Sequence, residues 1–297
     1  IFMQEREKER ETSMKKTLFT KRLLCGALAA AVVFSCFPAG SAAAEESRTT
    51  DQSSSELLIT GENERKTLDF NTDWLFIRGN DLSAKDPDYD ESSAEHVSLP
   101  HARDTYDLFE PDLDSIQTID WYRRHFTLPE EDSNDRVFVE FNGGGQINRV
   151  YVNGALVGEA KGTFTHFKFD ITDYVTFGNY DNVIAVQVDS QYHSDEMPPG
   201  KSIDFHYFGG LHGEASMTLT DSLYSESVFY YNDDVEYSDA AAILNGEMEI
   251  TNRYSAAQTA TVRSVIKDSA GNEVSTVETT VDVDSLGTAL AKLEHTI

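Results

Sequence analysis

The chain is short of cysteine, of positive charge and of long apolar runs, and each shortage excludes something. Only two of its 297 residues are cysteine, Cys25 and Cys36. Everything after position 36 therefore lacks a thiol for a disulfide or for nucleophilic catalysis, and that part of the chain must be held together by burial. Lysine and arginine number 24 against 52 aspartates and glutamates, a formal net charge of −28. A field of that sign repels nucleic acid and anionic membrane surfaces, so neither is expected as a partner. The longest apolar stretch, Leu23 to Phe37, has 15 residues, short of the roughly 20 that a spanning helix needs.

What is present at the N-terminus reads as processing information. Residues 1–13 are a charged run expected to be an upstream translated segment, and Met14 is the expected start. Lys15, Lys16, Lys21 and Arg22 then form a basic head, Leu23 to Phe37 the apolar centre, and Ala42-Ala43-Ala44 a small-residue cleavage site. Together they predict a secretory signal peptide over 14–44 and a secreted or cell-surface product. Val33-Phe34-Ser35-Cys36 has some likeness to a lipoprotein processing site, but the bulky Phe34 fits it poorly, so lipidation is the less favoured reading. Removing the 7 basic and 4 acidic residues of 1–44 leaves 17 and 48, a net charge of −31. Residues 45–65 are polar and predict a disordered linker. Asp86, Asp88, Asp90 and Glu91 raise the idea of a calcium loop. The run lacks the glycine and the bidentate glutamate that an EF-hand needs, so these acids read as solvated surface and no metal is assigned.

From Lys66 to about Leu219 the pattern is strand and turn without an amphipathic helical stretch. Val137, Val139 and Phe141 alternate with Phe138 and Glu140, the period of a half-buried strand, and Val150 and Val152 repeat it. Asn153-Gly154 supplies two residues tolerant of positive φ, as a type I′ hairpin turn requires, with Ala155 to Val157 returning. A second unit begins near Ser222, where Ala242–Thr251, Ala260–Lys267 and Glu273–Val283 read as sandwich strands, the last two joined by a hairpin at Ser269–Asn272. The composition as a whole predicts an all-β chain, a sandwich over 66–221 and a second over 222–297.

Several fragments then occur in a telling order: LDFNTDWLF (Leu68–Phe76), VSLPH (Val97–His101), WYRRHF (Trp121–Phe126), VYVNG (Val150–Gly154), NVIAVQVD (Asn182–Asp189), and Pro198-Pro199 followed by Asp204-Phe205 and Phe208-Gly209-Gly210. This series resembles the N-terminal part of glycoside hydrolase family 2, the family of β-galactosidases, β-glucuronidases and β-mannosidases, and most resembles its β-galactosidase members. The resemblance implies a jelly-roll, sugar-binding-like domain over 66–221 and an incomplete immunoglobulin-like domain over 222–297, short of its last one or two strands. It also implies that catalysis belongs to two glutamates on a (β/α)8 barrel that these residues do not contain. The expected reaction of the intact protein is retaining hydrolysis of a terminal β-linked sugar, with carbohydrate as the partner of that barrel.

No catalytic residue and no cofactor is therefore assigned within this chain, and its oligomeric state is left open. Asn272-Glu273 repeats the dipeptide that carries the family's acid/base, but at a hairpin edge. The segment Gln191–Phe208 is the expected loop toward substrate, with Asp204 and His101 as candidate sugar-binding residues, although each also fits a purely structural role. His193, His206 and His212 lack the spacing of a zinc site, and Gly143–Gly145 reads as a loop because no helix follows. Trp74 and Trp121 are expected in the core rather than as sugar platforms. Two departures from the family pattern put sugar specificity in question: Ala102-Arg103 after the LPH motif, and Gly213 where the family has arginine. The rival reading is a free-standing carbohydrate-binding or surface-adhesion module.

Overall fold

The computed structural model describes residues 33–38, 65–103, 118–191, 193, 209–232 and 243–297. The expected upstream segment, most of the expected leader, and residues 45–64 of the expected linker lie outside the described residues. The strands, in chain order, are β1 (Val33–Pro38), β2 (Lys66–Asp69), β3 (Trp74–Ile77), β4 (Glu95–Val97), β5 (Ile119–Leu128), β6 (Arg136–Phe141), β7 (Ile147–Val152), β8 (Ala155–Lys161), β9 (Phe167–Asp170), β10 (Gly178–Asp189), β11 (Ala215–Thr220), β12 (Leu223–Asn232), β13 (Ile243–Asn252), β14 (Gln258–Lys267), β15 (Glu273–Val283) and β16 (Thr288–Thr296). Helical backbone among the described residues is limited to single 3-10 turns such as Leu82–Lys85. The chain divides into two compact units, one of residues 46–222 and one of 1–45 with 223–297.

In the first unit a six-stranded sheet, β4-β3-β5-β10-β7-β8, packs on a four-stranded sheet, β2-β11-β6-β9. Alternation decides which side chains meet: Trp74, Tyr122, Val150, Val152, Ile184 and Val186 come from the larger sheet, Val137, Val139, Phe141 and Met217 from the smaller. Trp74 and Trp121 are both fully buried. Trp74 donates from Nε1 to the Phe70 carbonyl at 2.7 Å and meets Phe70 and Phe141 edge to face, which uses both the apolar body and the polar handle of the ring. The Asn153-Gly154 turn takes φ of 50° and 82° and pairs Val152 with Ala155, as the two-residue hairpin demands. LDFNTDWLF, by contrast, is not one strand. It contributes β2 to one sheet and β3 to the other, because Asp73 turns the chain at φ 61° and Asp69 Oδ1 accepts the Asn71 N–H.

Strand β10 is buried at every residue from Asn182 to Asp189, which needs cover on both faces. The second cover is the segment 78–94, lying over Ile77, Trp121 and Ala185 through Ala84, Tyr89 and Ala94. Arg123 fastens it. This side chain is wholly buried and donates to the Ala84 carbonyl, to the Asp86 carbonyl at 2.9 Å and to Glu91 Oε1 at 2.6 Å. The same Glu91 reaches His125 Nε2 at 3.0 Å, while His125 Nδ1 lies 2.8 Å from Asp181 Oδ2. Both carboxylates are served only when both ring nitrogens carry protons. Burial works against that charge, but the hydrogen bonds to Glu91 and Asp181 outweigh it and raise the His125 pKa above its ordinary value.

In the second unit two three-stranded sheets, β12-β13-β16 and β1-β14-β15, enclose a smaller core of Met248, Ile250, Val262, Val283, Ala291 and Leu293. β12 and β16 were not foreseen from the sequence. A polar chain crosses this core: His295, fully buried, lies 2.9 Å from Ser275 Oγ through Nδ1 and 2.8 Å from Ser264 Oγ through Nε2. Tyr230 OH lies 2.9 Å from the same Ser264 Oγ. Burial holds the His295 pKa below its usual value.

Two predictions follow from the cover segment. Arg123→Ala strands buried carbonyls and should cost about 3 kcal/mol of unfolding free energy, read from urea denaturation. The stabilisation by His125 should be fully present below the ordinary histidine pKa of about 6.5 and fade as pH rises through its raised folded value. The wild-type advantage over His125→Gln should accordingly be larger at pH 6 than at pH 8, and an equal advantage at both would contradict it.

Candidate sugar-facing loop end

The LPH segment, the Gly143–Gly145 loop and the closing Gly209-Gly210 segment lie at one end of the sandwich, opposite the Asn153-Gly154 turn. There β3, β6, β8 and β10 finish and β5, β7, β9 and β11 begin. The described chain before and after the two stretches 104–117 and 194–208 also lies at this end. Arg103 and Thr118 flank the first stretch, His193 and Gly209 the second.

His101 is placed by backbone pairing. Its N–H donates to the Leu211 carbonyl and the Arg103 N–H to the Gly209 carbonyl, each at 2.8 Å, so the LPH segment runs alongside the closing Gly-Gly segment. The His101 ring lies 2.7 Å from Tyr122 OH through Nδ1 and 5.1 Å from the Phe76 ring. Tyr122 itself is fully buried, and burial drives its phenol far above the ordinary range. It stays neutral and holds the imidazole in one orientation. Gly210, at φ 122°, is packed so closely that a Cβ would fall 2.4 Å from the His101 carbonyl oxygen; only glycine lets the two segments approach this far.

Arg103 is held by an acid. Its Nε lies 2.9 Å from Asp120 Oδ2, and Asp120 also accepts from Gly79 N and Thr118 Oγ1. The residue that departs from the family pattern is thus part of an internal clasp between the ends of β3 and β5. Gly213 has an equally local reason. A Cβ there would fall 2.2 Å from the Asn142 carbonyl carbon, in the same place where Asn142 N donates to the Glu214 carbonyl. No arginine fits while Asn142 stays where it is.

The Gly143–Gly145 loop is a backbone crossing and lies far from any helix start. Gly144 N donates to the Thr163 carbonyl, Gly145 N donates to Asn148 Oδ1, and a Cβ on Gly145 would strike the Asp189 carbonyl at 2.6 Å. Around it sit Gln146 and Thr163, both fully buried. Gln146 Nε2 and Thr163 Oγ1 have no hydrogen-bond partner among the described residues. His193 N donates to Gln146 Oε1 at 3.2 Å, and His193 Nε2 lies 3.1 Å from Asp189 Oδ2. His212 donates from Nε2 to the Thr163 carbonyl at 2.9 Å and carries the exposed Phe164 ring against its face at 5.4 Å. Burial lowers the His212 pKa against the pull of that carbonyl.

Of the two candidate sugar-binding residues, His101 is at this end and Asp204 lies outside the described residues, as does His206. His193 and His212 are each tied to their own partners, and no group of three or more metal-ligating side chains occurs among the described residues. Asn272-Glu273 lies in the second unit at the β14–β15 hairpin, where Asp268 holds Asn272 through N and Nδ2. The Arg103–Asp120 and His101–Tyr122 pairs carried no sequence signal. Each joins residues distant in the chain, brought together by the pairing of 101–103 with the Gly209–Leu211 segment.

One prediction tests the crowded rim: Gly213→Ala forces Asn142 and Gly143 aside and should cost about 1–3 kcal/mol, seen as a lowered melting temperature.

Residues 87–221 match the family model described as "Glycosyl hydrolases family 2, sugar binding domain". A β-galactosidase of Thermoanaerobacter pseudethanolicus is 39% identical over 59% of this chain and 24% of its own length. A β-glucuronidase of Formosa agariphila is 30% identical over 70% of this chain and 23% of its own. Among solved structures, a β-glucuronidase of Bacteroides uniformis aligns with a TM-score of 0.69 at 26% identity, covering 78% of this chain and 27% of that one. The chain spans about a quarter of the length of the curated relatives it matches. Over residues 87–221 it is similar to the sugar-binding domain of the family 2 glycosyl hydrolases, as found in β-galactosidases and β-glucuronidases.

Proposed function

We propose that this chain is the exported, non-catalytic front of a family 2 β-glycosidase, with a jelly roll over 66–221 and an immunoglobulin-like sandwich over 222–297. In this reading the two units brace an active site carried by a barrel elsewhere in the polypeptide. The observation that carries it is the coincidence of the sugar-binding-domain match at 87–221 with the loop end. His101, His193 and the flanks of both long connections gather there, on a scaffold of paired strands rather than on free loops. The expected chemistry is retaining hydrolysis of a terminal β-linked sugar by two carboxyl groups of the barrel, one donating a proton and the other supporting the oxocarbenium-like centre. The 39% identity to a β-galactosidase favours galactosides. His101 and Asp204 are proposed to face the sugar from this side, and the leader over 14–44 to deliver the protein outside the cytoplasm.

The alternative, a free-standing carbohydrate-binding module, is favoured by the exposed Phe164 ring at the same end, an apolar face of the kind that packs on pyranose CH groups. Turnover separates the two. The chain of 297 residues should hydrolyse neither p-nitrophenyl β-D-galactoside nor the corresponding glucuronide, while the full product of its gene hydrolyses one of them. Hydrolysis by the chain alone, or a full product inert toward both, overturns the reading. Tight glycan binding by the chain alone would support the module instead.

A further inference from the structure

Three Asn-Gly steps occur in the sequence: Asn142-Gly143, Asn153-Gly154 and Asn245-Gly246. In each the glycine has no side chain to crowd its own nitrogen, which makes this the step at which a backbone nitrogen most readily attacks the preceding side-chain amide. What holds the two groups decides whether it does.

Two of the steps are held. Asn153 donates from Nδ2 to the Tyr174 carbonyl and to Asn182 Oδ1 and accepts from Val183 N at Oδ1, each at 2.9 Å. Asn245-Gly246 lies inside β13, the middle strand of its sheet, paired with Tyr231 and Tyr230 on one side and with Glu294 and Leu293 on the other. Gly246 is also pressed against the Tyr230 ring, where a Cβ would fall 2.7 Å from a ring carbon.

Asn142-Gly143 differs. Asn142 is exposed, and its side chain has no hydrogen-bond partner among the described residues. Along the crossing, Asn142 N serves the Glu214 carbonyl, Gly144 N the Thr163 carbonyl and Gly145 N the Asn148 Oδ1. The Gly143 N–H between them is paired with none of the described residues. A side-chain amide free to turn thus precedes a nitrogen that no carbonyl holds.

We propose that Asn142 is a site of self-modification, converted through a cyclic imide with water as the only co-reactant. The Gly143 nitrogen bonds to Asn142 Cγ and gives up its proton, while the side-chain nitrogen leaves as ammonia. Water then opens the ring. Cleavage of the new Cγ–N bond leaves an aspartyl residue, and cleavage of the original peptide bond leaves a β-aspartyl residue, whose main chain is one carbon longer. One water is consumed and one ammonia released, with no oxidation or reduction. Gly213 lies so close that a Cβ on it would fall 2.2 Å from the Asn142 carbonyl carbon and 2.4 Å from Gly143 N. The longer main chain therefore displaces one of the two segments and loosens the rim between 142 and 214.

The test incubates the folded chain, the full product of its gene and the urea-denatured chain in mildly alkaline buffer and locates amide-to-acid conversion by peptide mass spectrometry. In both folded proteins conversion should run at least about tenfold faster at Asn142 than at Asn153 or Asn245, whose release breaks several hydrogen bonds. The denatured chain should convert all three alike. Asn142→Gln should abolish conversion at that position, because the longer side chain closes its ring far less readily. The β-aspartyl form, separated by chromatography, should melt below the wild type, and Asn142→Asp, which adds the charge without the extra carbon, should melt near it. A folded protein that keeps Asn142 intact while the denatured chain converts, or one that converts the three positions at equal rates, overturns the proposal. Equal melting of the β-aspartyl form and Asn142→Asp overturns the effect assigned to the rim.

Discussion

The arrangement of the first unit depends on a charge that has been withdrawn from water. Arg123 points from the outer face of the large sheet into the cover segment, and its cost of burial is offset only because carbonyl oxygens and the Glu91 carboxylate surround the guanidinium. That fan of hydrogen bonds gives the segment 78–94 a defined course. The segment in turn makes it possible for β10 to be buried on both faces, and β10 is the strand through which β5 and β7 are joined.

The loop end inherits its order from this. β3, β5, β7 and β10 all contribute residues to it, and the clasp of Arg103 on Asp120 and the bond of His101 to Tyr122 hold only if those strands keep their register. The rim is therefore built on rigid ladders, with glycines where two backbones pass too closely for a side chain. Gly210 and Gly213 make the close approaches, and their neighbours are left no alternative path. A scaffold of this kind holds its polar groups at fixed positions.

How much of this could be read from residues alone varied with the range of the interaction. The Asn153-Gly154 hairpin was legible because its φ requirement is satisfied within two residues. The β14–β15 hairpin was legible because Asp268 and Gly271 serve the turn locally. The corner inside LDFNTDWLF was missed because the positive φ falls on Asp73, a residue that does not advertise it. β12 escaped notice because Phe229 and Tyr231 place apolar rings on the solvent face and blur the alternation, and β16 because it packs alanines where larger residues give a stronger signal. The reason for Gly213 lies in Asn142, far off in the chain, so the sequence showed a lost arginine and not the lack of space for one.

The hydroxyl chain through the second core has a consequence of its own. A neutral imidazole at position 295 has one proton for two partners, so Tyr230, Ser264, His295 and Ser275 form a line in which every donor must point the same way. Two such lines exist, running in opposite senses, and both satisfy every member. Passing from one to the other requires all the hydroxyls to swing together, which makes this small interior a molecular toggle whose two settings share the same heavy-atom positions. An added proton on the ring would still find both oxygens as acceptors, so what opposes it is the loss of hydration on burial and not a missing hydrogen bond.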